Sequence, residues 1–100
     1  MIQQHAQAAT PEASRIMRRL CYHFGRKVPA ECDAERGTVS FPWGMCEMRA
    51  TATTLRFTCS AEREEQLTNG REVIDGHMAL FTRKAPITLS WSAPNQAPIA

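Results

Sequence analysis

Long apolar runs are absent from this chain. No stretch approaches the roughly 20 residues that a helix needs to cross a bilayer. The N-terminus, Met1-Ile2-Gln3-Gln4-His5-Ala6, has neither a basic nor an apolar signal region, so no secretory leader is expected. That points to the cytoplasm, where thiols stay reduced. An excess of one charge is lacking too. A net charge of +2 is too small to argue for nucleic acid from composition. No Cys-x-x-Cys occurs, and the cysteines at 21, 32, 46 and 59 match no zinc ribbon or knuckle in their spacing. There is no nucleophile elbow, phosphate loop, His-Glu-x-x-His or paired-carboxylate pattern. An enzyme is therefore not the first expectation. No catalytic residue, metal ligand or cofactor is assigned.

What is present suits one small domain. The chain has 100 residues, 43% of them hydrophobic and 22% charged, enough for one core. The weak alternation from Ile2 to Ala9 suits an edge strand. Thr10 is a good N-cap and Pro11 a good first helical residue. Ala13, Ile16, Met17, Leu20, Cys21 and Phe24 then form one apolar stripe at helical spacing. Gly25 is placed to end that helix. Val28, Ala30 and Cys32 alternate with polar residues as a strand, and 34–37 reads as a turn. Val39 and Phe41, then Cys46, Met48 and Ala50, then Leu55, Phe57 and Cys59, continue as antiparallel strands with one dry face. All four cysteines are thus expected as small core residues.

Ser60 can cap a second helix, whose stripe is Leu67, Gly70, Ile74, Met78 and Phe81. Gly70 is a defect in it, implying either local weakness or a close neighbour. Ile87, Leu89 and Trp91 alternate as a closing strand. The expected fold is α+β, in the order β-α-β-β-β-β-α-β. Two amphipathic helices pack on one face of a mostly antiparallel sheet. The domain is expected to span 1–92, with a flexible tail over 93–100.

Three pieces of this chain carry a resemblance: Arg19-Leu20-Cys21-Tyr22-His23-Phe24-Gly25-Arg26-Lys27-Val28-Pro29, Gly37-Thr38-Val39-Ser40-Phe41-Pro42-Trp43-Gly44 and Ile74-Asp75-Gly76-His77-Met78-Ala79-Leu80-Phe81. They resemble a bacterial family called domain of unknown function 2218. The family has no established activity, so the resemblance implies no catalytic role. Its relatives stand beside, or are fused to, siderophore-interacting flavin reductases. That implies a link to iron or siderophore handling, with such a reductase as a partner.

The candidate ligand-binding residues are His23, Lys27 and His77. At 100° per residue, His23 falls at the margin of the first stripe and His77 beside Ile74 and Met78. The two imidazoles can therefore meet in a groove between the helices, where they could ligate a metal or move a proton. The candidate interaction residues are Trp43, in a tight Pro-Trp-Gly turn, and Arg15, Arg18, Arg19 and Arg26 on and after the first helix. These would receive an acidic partner. Aromatic residues other than Tyr22 are scarce on that basic face, which argues against single-stranded nucleic acid. The polar sheet face leaves a homodimer open. The expected function is a binding or accessory protein. The alternatives are a protein-interaction module without a small ligand and, less favoured, an enzyme acting between the helices.

Overall fold

The computed structural model describes residues 1–96. The chain runs β1 (Ile2–Ala9), α1 (Ala13–Phe24), β2 (Ala30–Cys32), β3 (Arg36–Phe41), β4 (Gly44–Ala50), β5 (Thr54–Ala61), α2 (Glu64–Phe81), β6 (Ser90–Trp91) and β7 (Asn95–Gln96). The strands form one sheet in the order β2-β3-β4-β5-β1-β6, with β7 also paired to β1. Every pairing is antiparallel. Both helices pack on one face of the sheet, α1 over β2 to β5 and α2 over β5 and β1. This is the expected α+β arrangement.

Local expectations change at β1 and at the starts of both helices. β1 is an interior strand, held between β5 and the C-terminal strands. Its signal is weak because its inward residues are Gln4, Ala6 and Ala8, which are buried but small or polar. The side-chain amide of Gln4 donates to the carbonyl of Ser92 at 2.7 Å, which settles the cost of burying it. Ser60 is no helix cap. It lies within β5, and its hydroxyl accepts from the Gln3 amide at 3.3 Å. α2 starts four residues later, where the Gln66 side chain accepts the Arg63 N–H at 3.1 Å. The first helix likewise starts at Ala13. The Thr10 hydroxyl accepts the Glu12 N–H at 3.1 Å, so Thr10 caps the turn that leads into it.

The core is the predicted one for the most part. All six residues of the α1 stripe are buried on the dry side of the sheet, and so are Leu67, Gly70, Ile74 and Met78 of α2. Cys21, Cys46 and Cys59 are buried, but Cys32 is exposed. The reason lies in the sheet order. Cys32 pairs with the buried Gly37, but β2 is a three-residue edge strand that α1 does not fully cover. The expected turn at 34–37 is shorter, since Arg36 and Gly37 already belong to β3. Residues 95–96 of the expected tail pair with Ile2 and Gln3, and 97–100 lie outside the described residues.

Gly70 has a clear neighbour. A Cβ there would come within 2.4 Å of the Trp43 indole. Trp43 stacks on Phe41 with ring centroids 4.8 Å apart and planes 10° from parallel. The tip of the β3–β4 hairpin is thereby clamped against α2, and the glycine makes room for the ring.

Candidate functional site

A row of rings lies where the two helices meet. It starts at Trp43 and Phe41 and passes to Phe24, whose ring lies 5.2 Å from that of Phe41. Phe24 then meets His77 at 4.8 Å. His77 lies 4.6 Å from His23 between ring centroids, with the planes tilted by 55°. Phe81 closes the row, 5.6 Å from His23 and 6.0 Å from His77. Beyond it, the Arg19 guanidinium sits 4.5 Å over the Phe81 ring, within cation–π range. The expected meeting of His23 and His77 between the helices is therefore present.

Each imidazole is conditioned by its surroundings. Nδ1 of His77 lies 2.7 Å from the Val73 carbonyl. A carbonyl only accepts, so Nδ1 carries a proton in this contact, and Nε2 is the nitrogen it leaves free. This is the arrangement in which a histidine is oriented for a ligand at its other nitrogen. The pKa of His23 is lowered by partial desolvation and then by the neighbouring His77, Arg26 and Lys27. Both effects favour the neutral ring, the form that binds metals.

Next to the ring row lies a groove of about 750 Å³, within the range of small-molecule sites. Arg15 and Arg19 line one wall, and Phe81, Arg83 and Lys84 line the other. The loop 82–87 is held by Thr82, whose buried hydroxyl donates to the Met78 carbonyl at 2.6 Å and accepts the Ile87 N–H at 3.2 Å. Arg15 is engaged by Glu12 in a two-point contact. Arg19, Arg83 and Lys84 have no carboxylate within ion-pair distance among the described residues. Arg83 and Lys84 were missed in the sequence because the stretch after α2 reads as a plain connection. The available signal was two adjacent cations directly after a helix end and just before a proline.

The basic residues of α1 do not form one patch. Arg15 and Arg19 face this groove, whereas Arg18 and Arg26 line a separate depression with Tyr22 and Cys32. Tyr22 is 73% exposed, and the Arg26 guanidinium lies 5.5 Å over its ring. Trp43 is half-buried against Gly70 and Phe41. Lys27 is exposed in the turn after α1.

The cysteines form two pairs. Cys46 and Cys59 are direct cross-strand partners, and the hydrogen bond between them, with burial, holds the Cys46 thiol far above its ordinary range. Burial, with Cys32 beside it, pushes the Cys21 thiol up to about 12. Cys21 faces Glu31, Gly37 and Cys32, while His77 packs on Phe24, His23 and Phe81. Cys21 and His77 therefore do not form a nucleophile–base pair.

Comparison with known proteins settles the family. The family described as uncharacterized protein conserved in bacteria, DUF2218, matches residues 5–92. The chain belongs to this family. The DUF2218 fold is also that of PA4090 from Pseudomonas aeruginosa, solved by NMR. That structure is similar at 25% identity with a TM-score of 0.78, over 92% of this chain and 96% of that chain. No curated protein matches. Among the described residues, no helix of this DUF2218 chain is long and apolar enough to cross a membrane.

Proposed function

We propose that this DUF2218 domain is a ligand-binding accessory protein. Its site is the His23–His77 pair, flanked by Lys27 and by the groove at Arg19, Arg83 and Lys84. The observation that carries this reading is the 4.6 Å approach of two imidazoles from different helices, one of them with its Nδ1 held by the Val73 carbonyl. Two imidazoles supply two ligands, whereas a tightly bound zinc ion takes four. No group of three or more metal-binding side chains gathers among the described residues. The pair is therefore suited to a metal that arrives already wrapped in a chelator with open positions. An anionic chelate would also meet the adjoining cations. Iron held by such a chelator fits the siderophore link that the family resemblance implies.

The test uses nickel–nitrilotriacetate, a complex with two open positions, and ferric citrate as the iron probe. Saturable binding is expected to be lost in His23→Gln and in His77→Gln, with Arg19→Gln weakening ferric citrate more than the nickel complex. Unchanged uptake in the double histidine variant would end the proposal.

A second reading is a docking surface for an acidic protein, such as a siderophore-interacting reductase, on Arg18, Tyr22 and Arg26. The 73% exposure of Tyr22 beside two cations favours it. Substituting Tyr22 and Arg26 would then abolish a pull-down that the histidine variants leave intact.

A further inference from the structure

On the open side of the sheet, strand register lines up three arginines. Arg36 is the direct partner of Arg49, and Arg49 is the direct partner of Arg56. All three are exposed. They therefore stand side by side on neighbouring strands spaced about 4.8 Å apart. Like charges directly opposite one another on a sheet are destabilising. Here the central arginine has such a neighbour on both sides. None of the three is in an ion pair among the described residues, where the pairs are Glu12–Arg15 and Arg63–Glu65. The nearby Asp33 carboxylate accepts the backbone N–H groups of Glu35 and Arg36, each at 2.8 Å, and acts on the Arg36 guanidinium only from beyond ion-pair distance.

We propose that this row is a binding site for a small multivalent oxyanion, of the phosphate or polycarboxylate class. Arg36, Arg49 and Arg56 share one depression of about 550 Å³ with Thr38, Thr58 and Glu47. The guanidinium groups supply planar, charged donors that suit oxyanions. Thr38 and Thr58 lie in the next row, on either side of Glu47, with the Thr58 hydroxyl hydrogen-bonded to the His5 ring at 3.1 Å. Glu47 is the one carboxylate in the depression and limits affinity for a fully ionised ligand. The site lies on the face of the sheet opposite the helices, so it is independent of the histidine pair.

The experiment titrates the full chain with pyrophosphate and, separately, with citrate. Sodium chloride at matched ionic strength is the control. The readouts are the ¹⁵N shifts of the arginine Nε–H groups and the urea midpoint. Saturable shifts are expected on Arg36, Arg49 and Arg56, with a rise in midpoint that chloride does not reproduce. The tighter of the two probes identifies the phosphate or the carboxylate class. Arg49→Gln is expected to weaken binding roughly tenfold, the loss of about one charge-assisted hydrogen bond. In plain buffer the same variant should be at least as resistant to urea as the parent, because two like-charge contacts vanish. Glu47→Gln should tighten binding. Arg56→Gln provides the same readouts should Arg49→Gln not fold. The proposal is overturned if chloride has the same effect, if Arg49→Gln and Arg56→Gln bind as the parent does, or if the shifts fall on Arg19 and Arg83 instead. That last result would move the anion to the helix groove and leave the histidine reading standing.

Discussion

Gly70→Ala is expected to weaken this domain, against the usual sign for a helical glycine. In an exposed helix interior, glycine to alanine gains about 1 kcal/mol. Gly76 is such a position: it is exposed and nothing lies within 4 Å of an added Cβ. At Gly70 the added methyl would meet three atoms of the Trp43 ring at 2.4, 2.5 and 3.1 Å. The ring cannot simply swing aside, because it is stacked on Phe41. Forcing an extra methyl into a packed site costs about 1–3 kcal/mol. Set against the propensity gain of about 1 kcal/mol, this leaves a net loss of up to about 2 kcal/mol. Urea unfolding followed by circular dichroism measures the change. Gly76→Ala should raise the midpoint and Gly70→Ala should lower it or leave it level. Trp43→Ala should itself cost about 2–3 kcal/mol for a half-buried ring. In that background Gly70→Ala should become stabilising, giving a coupling of about 1–3 kcal/mol. If Gly70→Ala stabilises the parent as much as Gly76→Ala does, and adds independently to Trp43→Ala, the clamp between hairpin and helix does not exist.

Three further outcomes are expected. His23 has its pKa lowered in the folded state, so the unfolded chain binds its proton first as the pH falls. Stability should be level above the ordinary histidine value near 6.5 and decline as the pH drops from there through the lowered value. His23→Gln should flatten that part of a pH series of urea midpoints. Thiol labelling of the native protein should be fast at Cys32 alone, since Cys21, Cys46 and Cys59 are buried; three more thiols should react on unfolding, and Cys32→Ser should remove the fast phase. The Trp91 indole N–H donates to the Asp75 carboxylate at 2.8 Å, tying β6 to α2. Asp75→Ala should lower stability by about 1–2 kcal/mol with a change in tryptophan fluorescence, and equal fluorescence and stability would show that the contact is idle.

The elements themselves were legible in the chain because periodicity is a local property. The stripe from Ala13 to Phe24 and the alternation through β4 and β5 each follow from which side chains can share a dry face. The pairing of His23 with His77 was also within reach, since each lies at the edge of a stripe and both stripes must cover the same sheet. Strand order was not. β1 reads as an edge because Gln4, Ala6 and Ala8 give little contrast, yet it is flanked on both sides. Cys32 alternates like a core residue and is exposed only because its strand ends up at the margin, beyond the cover of α1. Gly70 looked like a flaw until Trp43, 27 positions away in the chain, was placed against it. Register decided the rest. Arg36, Arg49 and Arg56 are unremarkable surface residues in sequence, and only the offsets of two hairpins bring them into one row. A sequence determines which way each side chain faces within its own element. Which charges become neighbours depends on how elements far apart in the chain are laid side by side, and that is fixed by the packing of the whole.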